Sequence, residues 1–302
     1  MKKSIRFALF LFAFITFSSH TNVFEKASKF FAATLILTTN PSLPATPYNY
    51  ANPALPNFFN SSVIANTDNT PVDNPTTDLG ATLGRVLFYD VNLSLNNTTS
   101  CGTCHIQGQA FGETTTVSTG FNGGMTTRNS PQLSNARYYT SGHFFLDERA
   151  ATLEDQVLEP IENVIEMGEN LTTLPTKLAA LGYYDDLFID AFGDATITTD
   201  RMSKAMAQFV RSMVSYQSKY DAGAPNGGPV TGNFANFTSD ENAGKLLFEQ
   251  HCDNCHKTGL QTADDVHNIG LTDGTGANED LGIGGVTGVT CLLYTSPSPR
   301  DS

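Results

Sequence analysis

Four of the five cysteines in this 302-residue chain fall into two units of the same spacing, Cys101-Gly-Thr-Cys104-His105 and Cys252-Asp-Asn-Cys255-His256. Two thiols two residues apart, with a histidine directly behind, allow three chemistries. Four thiolates could hold zinc, but zinc has no need of a histidine in the same register after both pairs. A redox-active dithiol usually opens a helix in an α/β unit, and neither pair follows a credible buried strand. In the third, each thiol adds to one vinyl group of a haem and the next residue, His105 or His256, ligates the iron from the proximal side. Recurrence of the whole unit, histidine included, favours two covalently bound haem c groups.

The elements that must position these residues also repeat. "LGRVLFYD" (Leu83 to Asp90) precedes the first unit and "AGKLLFEQ" (Ala243 to Gln250) the second, sharing a glycine, a basic residue and Leu-Phe. Each reads as a short helix leading into a haem-binding loop. "ATLEDQVLEPIEN" predicts a short helix broken near Pro160. "DRMSKAMAQFVRSMVSYQ" predicts a longer one, capped by Asp200, with Met202, Ala205, Met206, Phe209, Val210, Met213 and Val214 on one apolar face. Methionines in a stripe of helical spacing are core residues rather than iron ligands. The fold class is mainly α, with two cytochrome c-like domains that each carry one haem.

Lys2, Lys3 and Arg6 ahead of the apolar run Phe7 to Phe17 have the layout of an export signal over residues 1–19, too short to span a bilayer. A second apolar patch, Phe30 to Thr39, reads either as part of a mis-assigned start or as a weak anchor. No stable membrane span is expected in the mature chain, and its location is periplasmic. The formal charge of −13 becomes −16 without those three basic residues, which disfavours nucleic acid and anionic membrane as partners. The expected organisation is a Pro/Asn/Thr-rich linker over 20–72, a first haem domain over 73–220, a linker over 221–232 and a second haem domain over 233–290.

"DNPTTDLGATLGRVLFYDVNLSLNNTTSCGTCHIQGQAF", "TTRNSPQLSNARYY", "FFLDERAATLEDQVLEPIENVIEMG" and "FVRSMVSYQSKYDAG" together resemble the bacterial diheme cytochrome c peroxidases, from about Asp73 to about Gly288. The resemblance implies a peroxidatic haem at Cys101, Cys104 and His105. It also implies an electron-collecting haem at Cys252, Cys255 and His256. Hydrogen peroxide would be reduced to water with electrons from a small cytochrome c or a cupredoxin. Gln156 and Glu166 match the family's distal pair, Glu166 moving the proton that O–O cleavage requires and Gln156 orienting peroxide. Asn129 matches a calcium-contacting position, so calcium is a further expected ion, and a homodimer a further expected assembly. The alternative reading is a diheme electron carrier, or a diheme oxidase acting on a partner protein.

The chain also departs from the family pattern. Phe121 stands near the place where some members hold a distal histidine, which implies a first haem open without reductive gating. Met125 and His143 are nearby candidates for a sixth ligand, although each type is more often a bystander. Leu146 occupies the place of a tryptophan between the haems, and the chain has no tryptophan. No methionine follows the second unit, so that haem is expected to lack a thioether ligand. The sequence "VTCLLYTSPSPRDS" departs abruptly from the family and reads as a non-native tail over 291–302, leaving Cys291 without redox meaning and the second domain incomplete.

Overall fold

The computed structural model describes residues 40–224, 232–256, 260–261, 267–268, 281–288 and 295–296. The expected export signal, residues 225–231 of the second linker, Cys291 and most of the expected tail lie outside them. The chain divides into two compact units, 1–42 and 43–302, and every site residue named above belongs to the second.

The described residues are mainly helical. In chain order the helices are α1 (Ser62–Ala65), α2 (Asp78–Tyr89), α3 (Cys101–Cys104), α4 (Leu153–Gln156), α5 (Glu159–Glu162) and α6 (Leu174–Ala179), followed by α7 (Tyr184–Phe192), α8 (Thr199–Arg211), α9 (Lys219–Gly223), α10 (Ser239–His251) and α11 (Gly282–Thr287). Among the described residues strand structure is confined to the two-residue pair β1 (His267–Asn268) and β2 (Thr295–Ser296), antiparallel with His267 opposite Ser296. Within the stretch expected as the first linker, Phe58, Phe59 and Ile64 are buried in a small core with Tyr138 and Leu260.

The main core forms where α2 crosses α8. Met202, Ala205, Met206, Phe209, Val210 and Met213 are all buried there against Leu83, Leu87 and Phe88, so the apolar stripe is a core face, as its spacing requires. The cap differs from the expectation. Thr198, in extended conformation, accepts from the Arg201 amide at 3.2 Å, and Asp200 sits inside the first turn. The break expected near Pro160 falls at Val157 and Leu158, and Pro160 itself stands in the first turn of α5, where its missing N–H costs nothing, so the segment forms two short helices.

Gly84 sets the α2–α8 approach, since a Cβ there would lie 1.9 Å from the Ala205 carbonyl oxygen. Its counterpart in the repeat, Gly244 in α10, has nothing within 4 Å of the same position. Gly84→Ala is therefore expected to force the helices apart and destabilise by about 1–3 kcal/mol, the usual range for overpacking. Gly244→Ala should be neutral or stabilise by up to about 1 kcal/mol through helix propensity. Urea unfolding of the two variants reads the contrast.

A buried polar network ties α4 to this core. Arg211, 2% exposed, donates to both carboxylate oxygens of Glu154 at 2.6 and 2.9 Å, and Asn74 donates to the same carboxylate at 2.6 Å. Gln208 donates to Asn74 at 2.8 Å and accepts from the Thr77 amide at 2.9 Å. Burial alone would raise the Glu154 carboxyl, but the hydrogen bonds from Arg211 and Asn74 hold it below the ordinary range. Its contribution to stability is thus present above the unfolded-state value of about 4.3 and is lost as pH falls through the lower folded value. Arg211→Met, which leaves the carboxylate buried without its partner, should cost about 3–5 kcal/mol at neutral pH. Denaturant midpoints between pH 3 and 7 should show the wild-type advantage shrinking towards the acid end.

Candidate functional site

The first Cys-x-x-Cys-His unit is a single helical turn with a fixed entry and exit. Ser100 caps α3, and its amide donates to the Thr103 hydroxyl at 3.0 Å. One turn places Cys101 and Cys104 three residues apart on neighbouring positions, and the His105 amide closes it by donating to the Cys101 carbonyl at 2.9 Å. Tyr89, at the end of α2, lies on Gly102, where a Cβ would come within 2.5 Å of the ring.

The orientation of His105 comes from the backbone. A loop closed by the Ile106–Gly112 bridge carries two successive left-handed residues, Ala110 at φ +56° and Phe111 at φ +62°. The Phe111 carbonyl reaches His105 Nδ1 at 2.8 Å. A carbonyl can only accept, so Nδ1 carries the proton and Nε2 keeps its lone pair, the arrangement a metal-ligating imidazole needs. Burial lowers the His105 pKa and so favours the neutral ring, an effect the Phe111 contact offsets only in part. Burial also pushes the Cys101 thiol up to about 12 and raises Cys104. A reactive dithiol shows the opposite shift.

His105, Gln156 and Glu166 line one cavity of about 780 Å³, and all three also line a smaller one of about 70 Å³ that reaches Cys101 and Cys104. The larger volume falls within the range of about 300–1,000 Å³ usual for cofactor sites. Gln156 ends α4. Glu166 follows α5 in a turn built on Asn163, whose side-chain oxygen accepts from the amides of Ile165 at 2.9 Å and Glu166 at 3.3 Å. The 118–126 loop braces this turn. Gly120 approaches it so closely that a Cβ would meet the Ile165 carbonyl oxygen at 1.6 Å, and the Phe121 amide donates to the Glu166 carbonyl at 3.0 Å. Burial raises the Glu166 pKa; Arg149 opposes the shift and Glu159 adds to it.

His143 and Leu146 also line the larger cavity; Phe121 and Met125 line neither. Phe121 instead packs on Gly168, and Met125 is half exposed, its sulfur accepting from Thr119 at 3.4 Å. Asn129 lines the larger cavity and donates to the Thr115 carbonyl at 2.5 Å and that of Glu113 at 3.4 Å. Among the described residues no three His, Cys, Asp or Glu side chains gather to hold a metal ion, so the four paired cysteines do not form a zinc cage.

Residue-pattern reasoning missed the two cavity arginines. Asp147 accepts from Arg128 at 2.7 Å and from Arg149 at 2.9 Å, and Arg149 lies 3.5 Å over the Phe145 ring. Although burial works against it, these cations hold the Asp147 carboxyl below its usual range. Both arginines stood within the quoted motifs, but a guanidinium near an aspartate reads equally as a surface pair.

The second unit repeats the first at the backbone. The His256 amide donates to the Cys252 carbonyl at 2.9 Å, as His105 does to Cys101. Phe88 and Phe248, equivalent in the repeat, approach the His105 and His256 rings at 6.4 and 5.8 Å. The equivalent cations also match, with Arg85 4.8 Å over Tyr48 and Lys245 4.6 Å over Phe234. Cys252 is exposed, while Cys255 and His256 are partly buried.

Residues 79–226 match the Di-haem cytochrome c peroxidase family. The methylamine utilization protein MauG of Methylophilus methylotrophus is 31% identical over 239 residues, 76% of this chain and 68% of its own. The chain belongs to the di-haem cytochrome c peroxidase family. Cytochrome c551 peroxidase of Nitrosomonas europaea, another relative, is 30% identical over 177 residues, 58% of this chain and 51% of its own. A solved MauG-like protein associated with microbial copper homeostasis superposes with a TM-score of 0.63 at 26% identity, over 86% of this chain and 75% of its own. The family membership and this superposition agree with a mainly helical, cytochrome c-like fold. The chain spans about two thirds of the length of the MauG relative and about half of the cytochrome c551 peroxidase. Among the described residues no helix is long and apolar enough to cross a membrane.

Proposed function

We propose that this chain is a periplasmic diheme peroxidase that reduces hydrogen peroxide to water with electrons from a small cytochrome c or a cupredoxin. The observation that carries the reading is the convergence of His105, Gln156 and Glu166 on one cavity beside Cys101 and Cys104. The donor set fits haem: two thiols on one turn, an imidazole with Nε2 available, a cavity of cofactor size, and the Arg128 and Arg149 guanidinia for the propionates. Cys101 and Cys104 would hold the first haem with His105 as proximal ligand, and Cys252, Cys255 and His256 the second. When bound, the haem iron supplies electrons to the O–O bond. Glu166 would take the proton from the peroxide oxygen that binds and deliver it to the other oxygen, which leaves as water. Gln156 would hold the peroxide by hydrogen bonding. Two electrons and two protons then convert one peroxide to two waters.

A second reading, oxidation of a partner protein, is favoured by the identity of 31–33% to two MauG proteins. The experiment that separates the two is peroxide consumption by the haem-loaded protein with reduced small cytochrome c, with a reduced cupredoxin, and with neither. Donor-dependent consumption supports the peroxidase reading, and none with any small donor overturns it.

A further inference from the structure

Tyr139 is the one tyrosine among the described residues that line the larger cavity, and nothing above gives it a role. Its phenol donates a hydrogen bond to the Glu148 carboxylate. Glu148 stands in left-handed backbone at φ +55°, and so does Phe145 at φ +68°. Both lie in a seven-residue loop closed by reciprocal Phe144–Ala150 hydrogen bonds of 2.8 and 3.3 Å. A left-handed residue other than glycine is strained and persists only where its surroundings over-determine it. Here Phe144 lies against the Tyr139 ring at 6.2 Å, Arg149 covers Phe145, and Asp147 is gripped by two arginines. The loop thus keeps a strained glutamate where its carboxylate meets a phenol at the cavity wall.

A phenol that gives up an electron becomes a strong acid, and an unpaired charge in a partly buried site is costly. A hydrogen-bonded carboxylate removes that cost, because the proton crosses one hydrogen bond and the phenoxyl is left neutral. The phenylalanines lining the same cavity are far harder to oxidise, and the chain has no tryptophan.

We propose that Tyr139 and Glu148 form a proton-coupled redox pair serving the peroxide-reducing site. The inference rests on the peroxidase reading of the first Cys-x-x-Cys-His unit. Tyr139 gives one of the two electrons that peroxide requires, its O–H bond breaks, and the proton forms a new O–H bond on Glu148. The products are a neutral phenoxyl radical and a carboxylic acid. The external donor later returns one electron to the phenoxyl, and Glu148 returns the proton.

The test uses the full chain with its haems in place. It is mixed with hydrogen peroxide in the absence of donor and frozen within milliseconds to seconds for electron paramagnetic resonance. A tyrosyl signal is expected. Tyr139→Phe should lower it at least tenfold, and Glu148→Gln, which keeps the phenol but removes the base, should lower it severalfold, both with unchanged haem content. A nitroso spin trap added to the wild-type protein, followed by peptide mass spectrometry, needs no variant to fold and should place the adduct on Tyr139. An adduct on exposed Tyr89, or an undiminished signal in Tyr139→Phe, while peroxide is still consumed, overturns this inference alone. No peroxide consumption by the haem-loaded protein overturns the peroxidase reading and this inference with it.

Discussion

Replacing Cys101 and Cys104 together by alanine is expected to halve the covalently bound haem and abolish peroxide turnover. Burial raises both thiols, Cys101 up to about 12, a shift opposite to that of a reactive redox dithiol. The attachment turn is pre-formed by the Ser100 cap and the His105–Cys101 contact, and only the sulfurs are lost in the variant. His105 would remain, but a single imidazole without the thioethers does not retain haem through boiling in detergent. Haem-stained denaturing gels and the reduced pyridine adduct spectrum give the count. The corresponding Cys252→Ala, Cys255→Ala variant should also lose half of the haem, yet keep a first site that reacts with peroxide once. Unchanged haem content in either variant would remove that unit from the haem-binding set.

The parts of this site legible in the sequence are those written in side-chain types at fixed intervals. The two five-residue units, the α8 stripe and the repeated Gly-basic-Leu-Phe segment need only spacing to be found, and the structure gives each repeat the same histidine closure and ring contact. The cap of α8 was misplaced by two residues because "TITTD" offers threonine and aspartate side by side, and only the extended backbone at Thr198 decides between them. The Phe111 carbonyl that orients His105 leaves no side-chain signature, and its two left-handed residues carry neither glycine nor asparagine to announce them. Gln156 and Glu166 came only from family resemblance. They sit on different short helices and turns, so their meeting in one cavity depends on how the Asn163 turn is braced by the 118–126 loop. That bracing runs through backbone at Gly120, a feature whose reason lies 45 residues away in sequence and is invisible before folding.

Glu166→Gln is expected to lower peroxide turnover roughly a hundredfold or more, the usual scale for losing a general acid or base. Glutamine keeps the shape and the cavity wall but cannot take a proton from the bound oxygen, so haem content and resting spectra should stay as in the wild type. The pH profile separates this role from a structural one. Burial raises the Glu166 pKa, and the carboxylate must be ionised to begin its work, so the wild-type rate should rise with pH through a value above the ordinary range of about 4.3. That limb should vanish in Glu166→Gln, leaving a low and flat rate across the same interval. The sign for stability is opposite. A carboxyl whose pKa the fold raises is held charged at a cost above that value, so Glu166→Gln should be as stable as the wild type at neutral pH, or more so. Arg149→Gln sharpens the point, because it removes the cation that opposes the shift and should move the acid limb of the wild-type profile upward. Turnover in Glu166→Gln equal to wild type, with the acid limb intact, would return Glu166 to the role of a wall residue and pass the proton to another group facing the cavity, of which exposed His143 is the first to test.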